Sequence, residues 1–392
     1  MNDVLILFNG TIVTENEILK NHSIIIKNGI IDSVIPNEKV NLNVDLPKVD
    51  CDNKYILPGL IDIHSDSIEK IIVPRKGVKF GINLAINEID QQLVHQGITT
   101  IYHSLTMAST TICNNVRTIK PSDIFDLCDL LINKTNFLIN HRIHIRLELN
   151  TVEVYEDLTN YINNGLVHEL SFMDHTPGQG QYKNILEFEK VIKQQYGNIS
   201  KEEREKIIKI CTEKEKLSYD KLLNLILLAN KKCIPIAYHD VESEKQVDWM
   251  ISNGIKICEF PLNSCVSEYA LKKGLYCVVG APNVLLGKSH YNNASAIELL
   301  RKNQANVLSS DYFSPSLLIA IFKLYQDGNV SLNTAVNFAS LYPAKALGIS
   351  KNYGSIENNK IADLIIVDKK DKFPKVIMTI VNGKIKYLSK FD

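Results

Sequence analysis

The sequence predicts an α/β fold, a (β/α)8 TIM-like barrel with a small β-sandwich domain formed by both chain ends. Over roughly 300 central residues, eight short apolar runs alternate with longer helical patterns, which is the order of elements in a parallel barrel. Both ends instead carry β-rich runs followed by Asn-Gly dipeptides, a hairpin turn signal. Ionisable residues also recur where the central apolar runs end.

The small β domain comes from two separate parts of the chain. Near the start, residues 4–8 and 23–27 are β-rich, and an Asn-Gly dipeptide follows each run. Near the other end, runs within residues 362–381 repeat this pattern and are again followed by Asn-Gly. Because each part alone has too few strands to bury a core, we expect residues 1–57 and 354–392 to form one domain.

Residues 58–353 are predicted to form the barrel. Its eight candidate strands are residues 61–64, 99–103, 143–148, 170–175, 234–239, 257–260, 276–279 and 306–311. A doubly wound parallel sheet is the rival arrangement, but DIHSD at residues 62–66 stands where its glycine-rich first turn belongs. A charged helical pattern near residues 186–220 predicts a solvated helical insertion after the fourth strand.

The charge balance excludes several classes of protein. The 392 residues include 44 Lys and Arg against 44 Asp and Glu, whereas binding to nucleic acid or an anionic membrane surface favours a basic excess. No apolar run approaches the roughly 18 residues of a membrane span, and the first residues lack the pattern of a secretion signal. The eight cysteines are scattered without a C-x-x-C pair, so we expect reduced core residues in a cytoplasmic protein. Whether the barrel forms a homo-oligomer is left open.

Ionisable residues lie at the carboxyl ends of five of the eight candidate strands. In a parallel barrel those ends converge on one rim, where such folds build active sites. Imidazole nitrogens together with carboxylate oxygens suit a divalent transition metal such as Zn, Mn or Fe, and six donors suit a pair of ions better than one four-coordinate ion. The candidate metal ligands are His64, Asp66, Glu148, His175, His239 and Asp311.

Loops near this rim suit an anionic small-molecule substrate. Residues 174–181 are rich in turn residues and amides, and residues 280–290 follow the seventh strand, where barrels often bind phosphate through backbone N–H groups. A local basic cluster at residues 70–79 fits either anion binding or an ordinary solvated surface. The candidate substrate-binding residues are Arg75, Gln179, Asn283, Lys288 and His290.

Motifs at both ends of the barrel resemble the amidohydrolase superfamily. LPGLIDIH at residues 57–64 and KIADL at residues 360–364 frame the barrel in the manner of that superfamily. The usual His-x-His of the first strand is replaced by His64-Ser65-Asp66. Together with MDHTPGQ at residues 173–179, this variant is similar to the branch that removes diphosphate from a ribose phosphonate 5-triphosphate in the carbon–phosphorus lyase pathway. The chain departs from that branch at Gly180, where the branch has arginine, and at Val241, where it has an acid.

The resemblance implies a metal-dependent hydrolase that cuts a phosphoanhydride. Activated water would attack the α-phosphorus, Asp311 would hold or accept its proton, and His239 and Asp311 would both be required for turnover. Arg75, Lys288 and His290 would neutralise the charge of the leaving group. The alternatives are a cyclic amide hydrolase or deaminase, the commoner chemistry of the superfamily, and a catalytically inactive scaffold barrel.

Overall fold

Two sheets organise the molecule, one closed into a barrel and one formed by both chain ends. The computed structural model describes residues 4–41, 46–75, 77–108, 119–178, 180–287, 295–328 and 330–389. In chain order its strands are β1 (Val4–Val13), β2 (Ile18–Lys27), β3 (Ile30–Pro36), β4 (Lys48–Asp50), β5 (Tyr55–Pro58), β6 (Leu60–Ser65), β7 (Ile98–Met107), β8 (Asn140–Glu148), β9 (Glu169–Met173), β10 (Ile236–His239), β11 (Ile257–Glu259), β12 (Tyr276–Gly280), β13 (Val307–Ser309), β14 (Leu364–Asp368), β15 (Lys375–Val381) and β16 (Lys384–Leu388).

Strands β6 to β13 form the barrel in chain order, and each pairs in parallel with the next. A parallel bridge between Ser65 and Asp311 joins the last strand region to the first. Each of the eight predicted runs overlaps one of these strands, and a small sheet domain is formed by both chain ends. The predicted fold class is therefore confirmed.

The small domain combines β1 to β5 with β14 to β16. Its strands follow the path β16-β15-β14-β5-β1-β2-β3, with β4 pairing in parallel with β1. The two chain ends meet where β5 pairs antiparallel with β14. A core of apolar side chains, including Leu7, Ile24 and Ile366, packs inside this domain apart from the main barrel core. Neither end could bury these side chains alone, which is the physical reason that the two segments associate.

The helices surround the barrel. They are α1 (Ser67–Ile72), α2 (Ile82–His95), α3 (Pro121–Asn133), α4 (Tyr155–Asn163), α5 (Ile185–Tyr196), α6 (Lys201–Glu213), α7 (Tyr219–Lys231), α8 (Glu244–Ser252), α9 (Ser264–Lys272), α10 (Ala281–Leu286), α11 (Ala296–Arg301), α12 (Ser316–Gln326), α13 (Leu332–Asn337) and α14 (Leu341–Ala346). Their apolar faces contribute to one large core with the outward-facing side chains of the barrel strands. Helices α5 and α6 lie between β9 and α7, in the region of the predicted insertion.

The chain passes directly from the small domain into the barrel at Gly59. Its amide donates to the carbonyl of Asp363 at 2.8 Å, which ties the passage to the carboxyl-terminal segment. A Cβ at this position would lie 2.2 Å from Oγ1 of Thr99 on β7, so only glycine permits the close approach. This contact fixes where the first barrel strand begins.

The cysteines differ in part from the expected reduced set. Six of them are free thiols, four of which are buried. Cys211 on α6 is instead disulfide-bonded, so the expectation that all the cysteines are reduced is wrong at this position. Within the described ranges, no helix is both long enough and apolar enough to cross a membrane.

Candidate metal centre

The barrel places all six candidate metal ligands at the carboxyl ends of its strands. His64 lies within β6 with Asp66 just beyond it, and Glu148 and His239 are the last residues of β8 and β10. His175 follows β9 by two residues and Asp311 follows β13 by two residues. His64, Asp66, Glu148 and His239 are buried, whereas the His175 side chain is 20% exposed. The residues thus lie around one rim, but their contacts separate them into groups.

The first group is organised by Glu259, the last residue of β11. One carboxylate oxygen of Glu259 lies 2.8 Å from Nδ1 of His64, and the other lies 3.3 Å from Nδ1 of His239. The two imidazole rings stack, with centroids 5.7 Å apart and planes at 24°. A proton on each Nδ1 satisfies these contacts and leaves both Nε2 lone pairs available. Glu259 therefore contacts the Nδ1 side of both histidines and orients their rings, as carboxylates typically do for metal-bound imidazoles.

The charge states within this group suit metal binding. Burial lowers the pKa of His64, which favours the neutral imidazole that a metal requires. Burial alone would raise the pKa of Glu259, but the neighbouring His64 and His144 hold it well below its usual range. Glu259 is completely buried. A buried anion that accepts hydrogen bonds from two imidazoles raises their basicity as ligands.

The second group joins His175 to two carboxylates. Nδ1 of His175 forms a short hydrogen bond with Oε1 of Glu148, and Nε2 lies 3.3 Å from Oδ2 of Asp240. The ring of His175 meets that of His239 edge to face, with centroids 5.8 Å apart. Burial would lower the pKa of His175, but Glu148 and Asp240 raise it to about 10. A proton on His175 holds these two carboxylates together.

Asp66 contacts both the first group and an arginine. Its Oδ1 lies 3.9 Å from Nε2 of His64 and accepts a hydrogen bond of 2.8 Å from Arg146. Arg146 is buried on β8, two residues before Glu148, so both side chains project into the barrel. The carboxylate of Asp66 thus contacts both His64 and the guanidinium of Arg146, which places a positive charge at the rim.

Asp311 is held by the backbone of the first strand. Its amide donates to the carbonyl of His64 at 3.0 Å, and its carbonyl accepts from the amide of Asp66 at 2.8 Å. The residue has a φ of 54°, in the left-handed region. A Cβ on Gly280 would lie 3.4 Å from Oδ2 of Asp311 and 3.7 Å from Nδ2 of Asn283, so these two side chains flank Gly280.

The other candidate substrate-binding residues are dispersed or lie outside the described residues. Arg75 is exposed, in a short bridge to Val78 that follows α1. Gln179, Lys288 and His290 lie outside the described residues. Gly180 begins a short 3-10 turn with a φ of 52°, a conformation that disfavours side chains with a Cβ. That backbone accounts for glycine at the position where the resembling branch has arginine.

Orphaned polar atoms indicate where a metal fits. Nε2 of His64 is buried and makes no hydrogen bond with the described part of the chain, and Nε2 of His175 and Oδ2 of Asp240 are buried with only their mutual ion pair at 3.3 Å. One potential ligand atom from each of His175, His239 and Asp240 lies within 4.8 Å of the other two. Ligand atoms at such spacing can surround an ion that bonds to each at about 2.0–2.2 Å. The donor set of nitrogen and oxygen fits a divalent transition metal.

Three residues of this centre were missed by the sequence reasoning. Glu259 ends the apolar run ICE, and the rule that selected the other six applies to it equally, but its neighbouring cysteine and phenylalanine made the run resemble plain core. Asp240 follows His239 directly, and its positive φ of 56° turns it toward the rim, which no local pattern signals. Arg146 was recoverable from its spacing of two from Glu148.

Comparisons with known proteins agree with this architecture. A model described as "Amidohydrolase family" matches residues 55–386, and one described as "NagA composite domain" matches residues 5–52. The chain is 28% identical over 380 residues to the alpha-D-ribose 1-methylphosphonate 5-triphosphate diphosphatase of Escherichia coli (strain K12), a match that covers 94% of this chain and 96% of that relative.

Solved structures with low sequence identity share the fold. The dihydropyrimidinase from Brevibacillus agri NCHU1002 superposes with a TM-score of 0.67 at 13% identity, covering 97% of this chain and 94% of that one. The N-acetylglucosamine-6-phosphate deacetylase from Pasteurella multocida gives 0.63 at 14% identity, covering 97% and 99%. These two likenesses support the fold alone, because identity this low does not carry a substrate.

Proposed function

Because this chain belongs to the amidohydrolase family, we propose that its metal centre hydrolyses a phosphoanhydride bond of an anionic, phosphorylated small molecule. Its best candidate substrate is α-D-ribose 1-methylphosphonate 5-triphosphate, which would give the 5-phosphate and diphosphate in phosphonate metabolism. The observation that carries this proposal is the 28% identity with the Escherichia coli diphosphatase along nearly the whole of both chains. Family membership and the cluster of histidines and acids support hydrolysis by a divalent-metal enzyme.

The metal would be held by histidines and carboxylates of the rim. His64 and His239 present their Nε2 atoms with Glu259 behind them, and His175 faces Asp240. His239 belongs to both groups, so two adjacent ions sharing this neighbourhood, with Glu148 and Asp66 as further ligands, are the arrangement that we propose. A divalent ion bound there makes water a better nucleophile at neutral pH and offsets negative charge on the phosphoryl oxygens.

Side chains of the rim would accept the proton of the attacking water and stabilise the negative charge of the leaving diphosphate. Asp311, fixed by backbone hydrogen bonds to the first strand, would take a proton from the attacking water. The water oxygen bonds to the α-phosphorus, the bond from that phosphorus to the bridging oxygen breaks, and its electron pair leaves with diphosphate. Arg146 is placed to stabilise negative charge near Asp66, and we assign Arg75, Lys288 and His290 to the diphosphate as it leaves.

Product analysis tests this proposal. Purified protein loaded with Zn, Mn or Fe would be incubated with the ribose phosphonate triphosphate and with nucleoside triphosphates, and diphosphate release would be followed by a coupled assay. We expect release from the wild type and none from His239→Asn or from chelator-treated protein. Release of orthophosphate alone would refute cleavage at the α-phosphorus, and no release of phosphate or diphosphate from any triphosphate would refute phosphoanhydride hydrolysis altogether.

Hydrolysis of a C–N bond is the second candidate function. It is favoured by the match of residues 5–52 to a NagA composite domain. The same preparations would be assayed with N-acetylglucosamine 6-phosphate and with dihydrouracil. Activity on these amides without diphosphate release would favour this candidate, and metal retention without any turnover would favour an inactive scaffold.

A further inference from the structure

A polar cavity lies at the opposite end of the barrel from the metal centre. It has a volume of about 380 Å³ and lies between the first residues of β8 and the hairpin that joins β15 to β16. Its wall includes Phe137, Asn140, Arg142, Asn382, Lys384 and Lys386. Arg142 and Glu148 are six residues apart on the same strand, which separates this basal cavity from the metal centre by about 20 Å.

Three cations line the basal cavity. Lys384 and Lys386 are two residues apart on β16, so strand geometry points both side chains to the same face. Arg142 is half-buried at the start of β8. Within the described residues none of these three side chains has an ion pair or a hydrogen bond. A partly desolvated guanidinium carries five donors, and leaving them without acceptors is costly unless a ligand or water supplies them.

The acids near this cavity are already satisfied by other donors. Asp90 accepts hydrogen bonds from the amides of Leu138 at 2.9 Å and Ile139 at 3.2 Å. Asp363 accepts one from the amide of Asn382 at 2.7 Å, and burial raises its pKa to about 7. Neither carboxylate forms an ion pair with the three cations. Neither of these acids, nor any other Asp or Glu of the described residues, lines the cavity, so its wall presents a net positive charge.

We propose that the basal cavity binds a small, multiply charged anion of the phosphate class, such as inorganic phosphate, diphosphate or a sugar phosphate. A guanidinium offers two parallel donors to phosphate oxygens, and two ammonium groups on one strand face add charge-assisted hydrogen bonds. The cavity volume accommodates a ligand of this size. This site is separate from the metal centre and does not depend on which substrate the metal centre hydrolyses.

Calorimetric titration of the metal-loaded protein with phosphate and with diphosphate tests this site. We compare the wild type with Lys384→Gln/Lys386→Gln, which changes one exposed and one half-buried side chain, and with Lys206→Gln/Lys231→Gln, a loss of two exposed charges on α6 and α7. The cavity variant is expected to weaken anion binding at one site at least tenfold, and the control variant to leave it unchanged. The affinity of that site should also fall as ionic strength rises.

The metal-centre variant His239→Asn separates the two locations. Binding at the basal cavity should persist in His239→Asn and be at least tenfold weaker in Lys384→Gln/Lys386→Gln. Binding that is lost in His239→Asn but unchanged in the lysine variant would belong to the metal centre and would overturn the proposal. Equal weakening in both lysine variants would mean a general charge effect, and absence of binding in the wild type would also overturn it.

Discussion

Glu259→Gln should weaken metal binding without unfolding the barrel. The carboxylate accepts from Nδ1 of both His64 and His239, at 2.8 and 3.3 Å. Glutamine keeps one carbonyl acceptor and turns an NH₂ group toward the other imidazole, so one of the two histidines loses its partner. A hydrogen bond to a charged group contributes about 1.5–3 kcal/mol, which corresponds to a loss of metal affinity of about 10- to 100-fold.

Competition with a chromophoric chelator measures the metal dissociation constant in this variant. Glu169→Gln is the matched control, because Glu169 is also completely buried in the barrel but lies against His144, at 3.5 Å, and hydrogen-bonds to neither His64 nor His239. Circular dichroism verifies that both variants are folded. An affinity for Glu259→Gln within twofold of the wild type, or an equal loss in Glu169→Gln, would refute the orienting role of Glu259.

Three further outcomes follow from the same geometry. Asp311→Asn should lower the turnover number by about 10²- to 10⁴-fold with a melting temperature close to that of the wild type, and wild-type turnover would exclude Asp311 as the base. The pKa of His175 is about 10, so binding of a metal near pH 8 should release a proton. Calorimetry in buffers of different ionisation enthalpy measures this proton release, and His175→Asn should abolish it. Burial raises the pKa of Asp363 to about 7, so between about pH 4 and 7 the folded state holds a proton that the unfolded chain has lost. The free energy of unfolding should therefore fall with rising pH, at up to about 1.4 kcal/mol per unit; urea unfolding of Asp363→Asn should give a shallower slope, and an unchanged slope would contradict this.

The fold was largely predictable from the sequence because its signals are local. Each barrel strand is a short apolar run bounded by helical patterns, and two hairpins of the small domain carry Asn-Gly turns, with Asn28 and Asn382 both at positive φ. The Asn-Gly at residues 9–10 does not form the predicted turn, because it lies inside β1 at an irregularity in the register with β2. The pairing of β5 with β14 was inferred from the need to bury a core rather than from any local pattern. Details of the rim depend instead on the conformation of single residues, such as the left-handed backbone of Gly180.

The candidate site was predictable only where chemistry and strand position coincide. Asp66, Glu148 and His239 end or follow apolar runs, so their position alone selects them. The role of Glu259 depends on contacts with two histidines that are 195 and 20 residues away, and these contacts exist only after the barrel closes. The pairing of Arg146 with Asp66 is likewise a long-range contact across neighbouring parts of the barrel.

Hydrolysis in water enriched with ¹⁸O tests the central proposal most directly. The metal-loaded protein would be given the ribose phosphonate triphosphate, and the products would be examined by ³¹P NMR and mass spectrometry. Attack of water at the α-phosphorus predicts one ¹⁸O atom in the 5-phosphate product and none in the released diphosphate. Label in the diphosphate, or an intact triphosphate together with activity on amides, would contradict it.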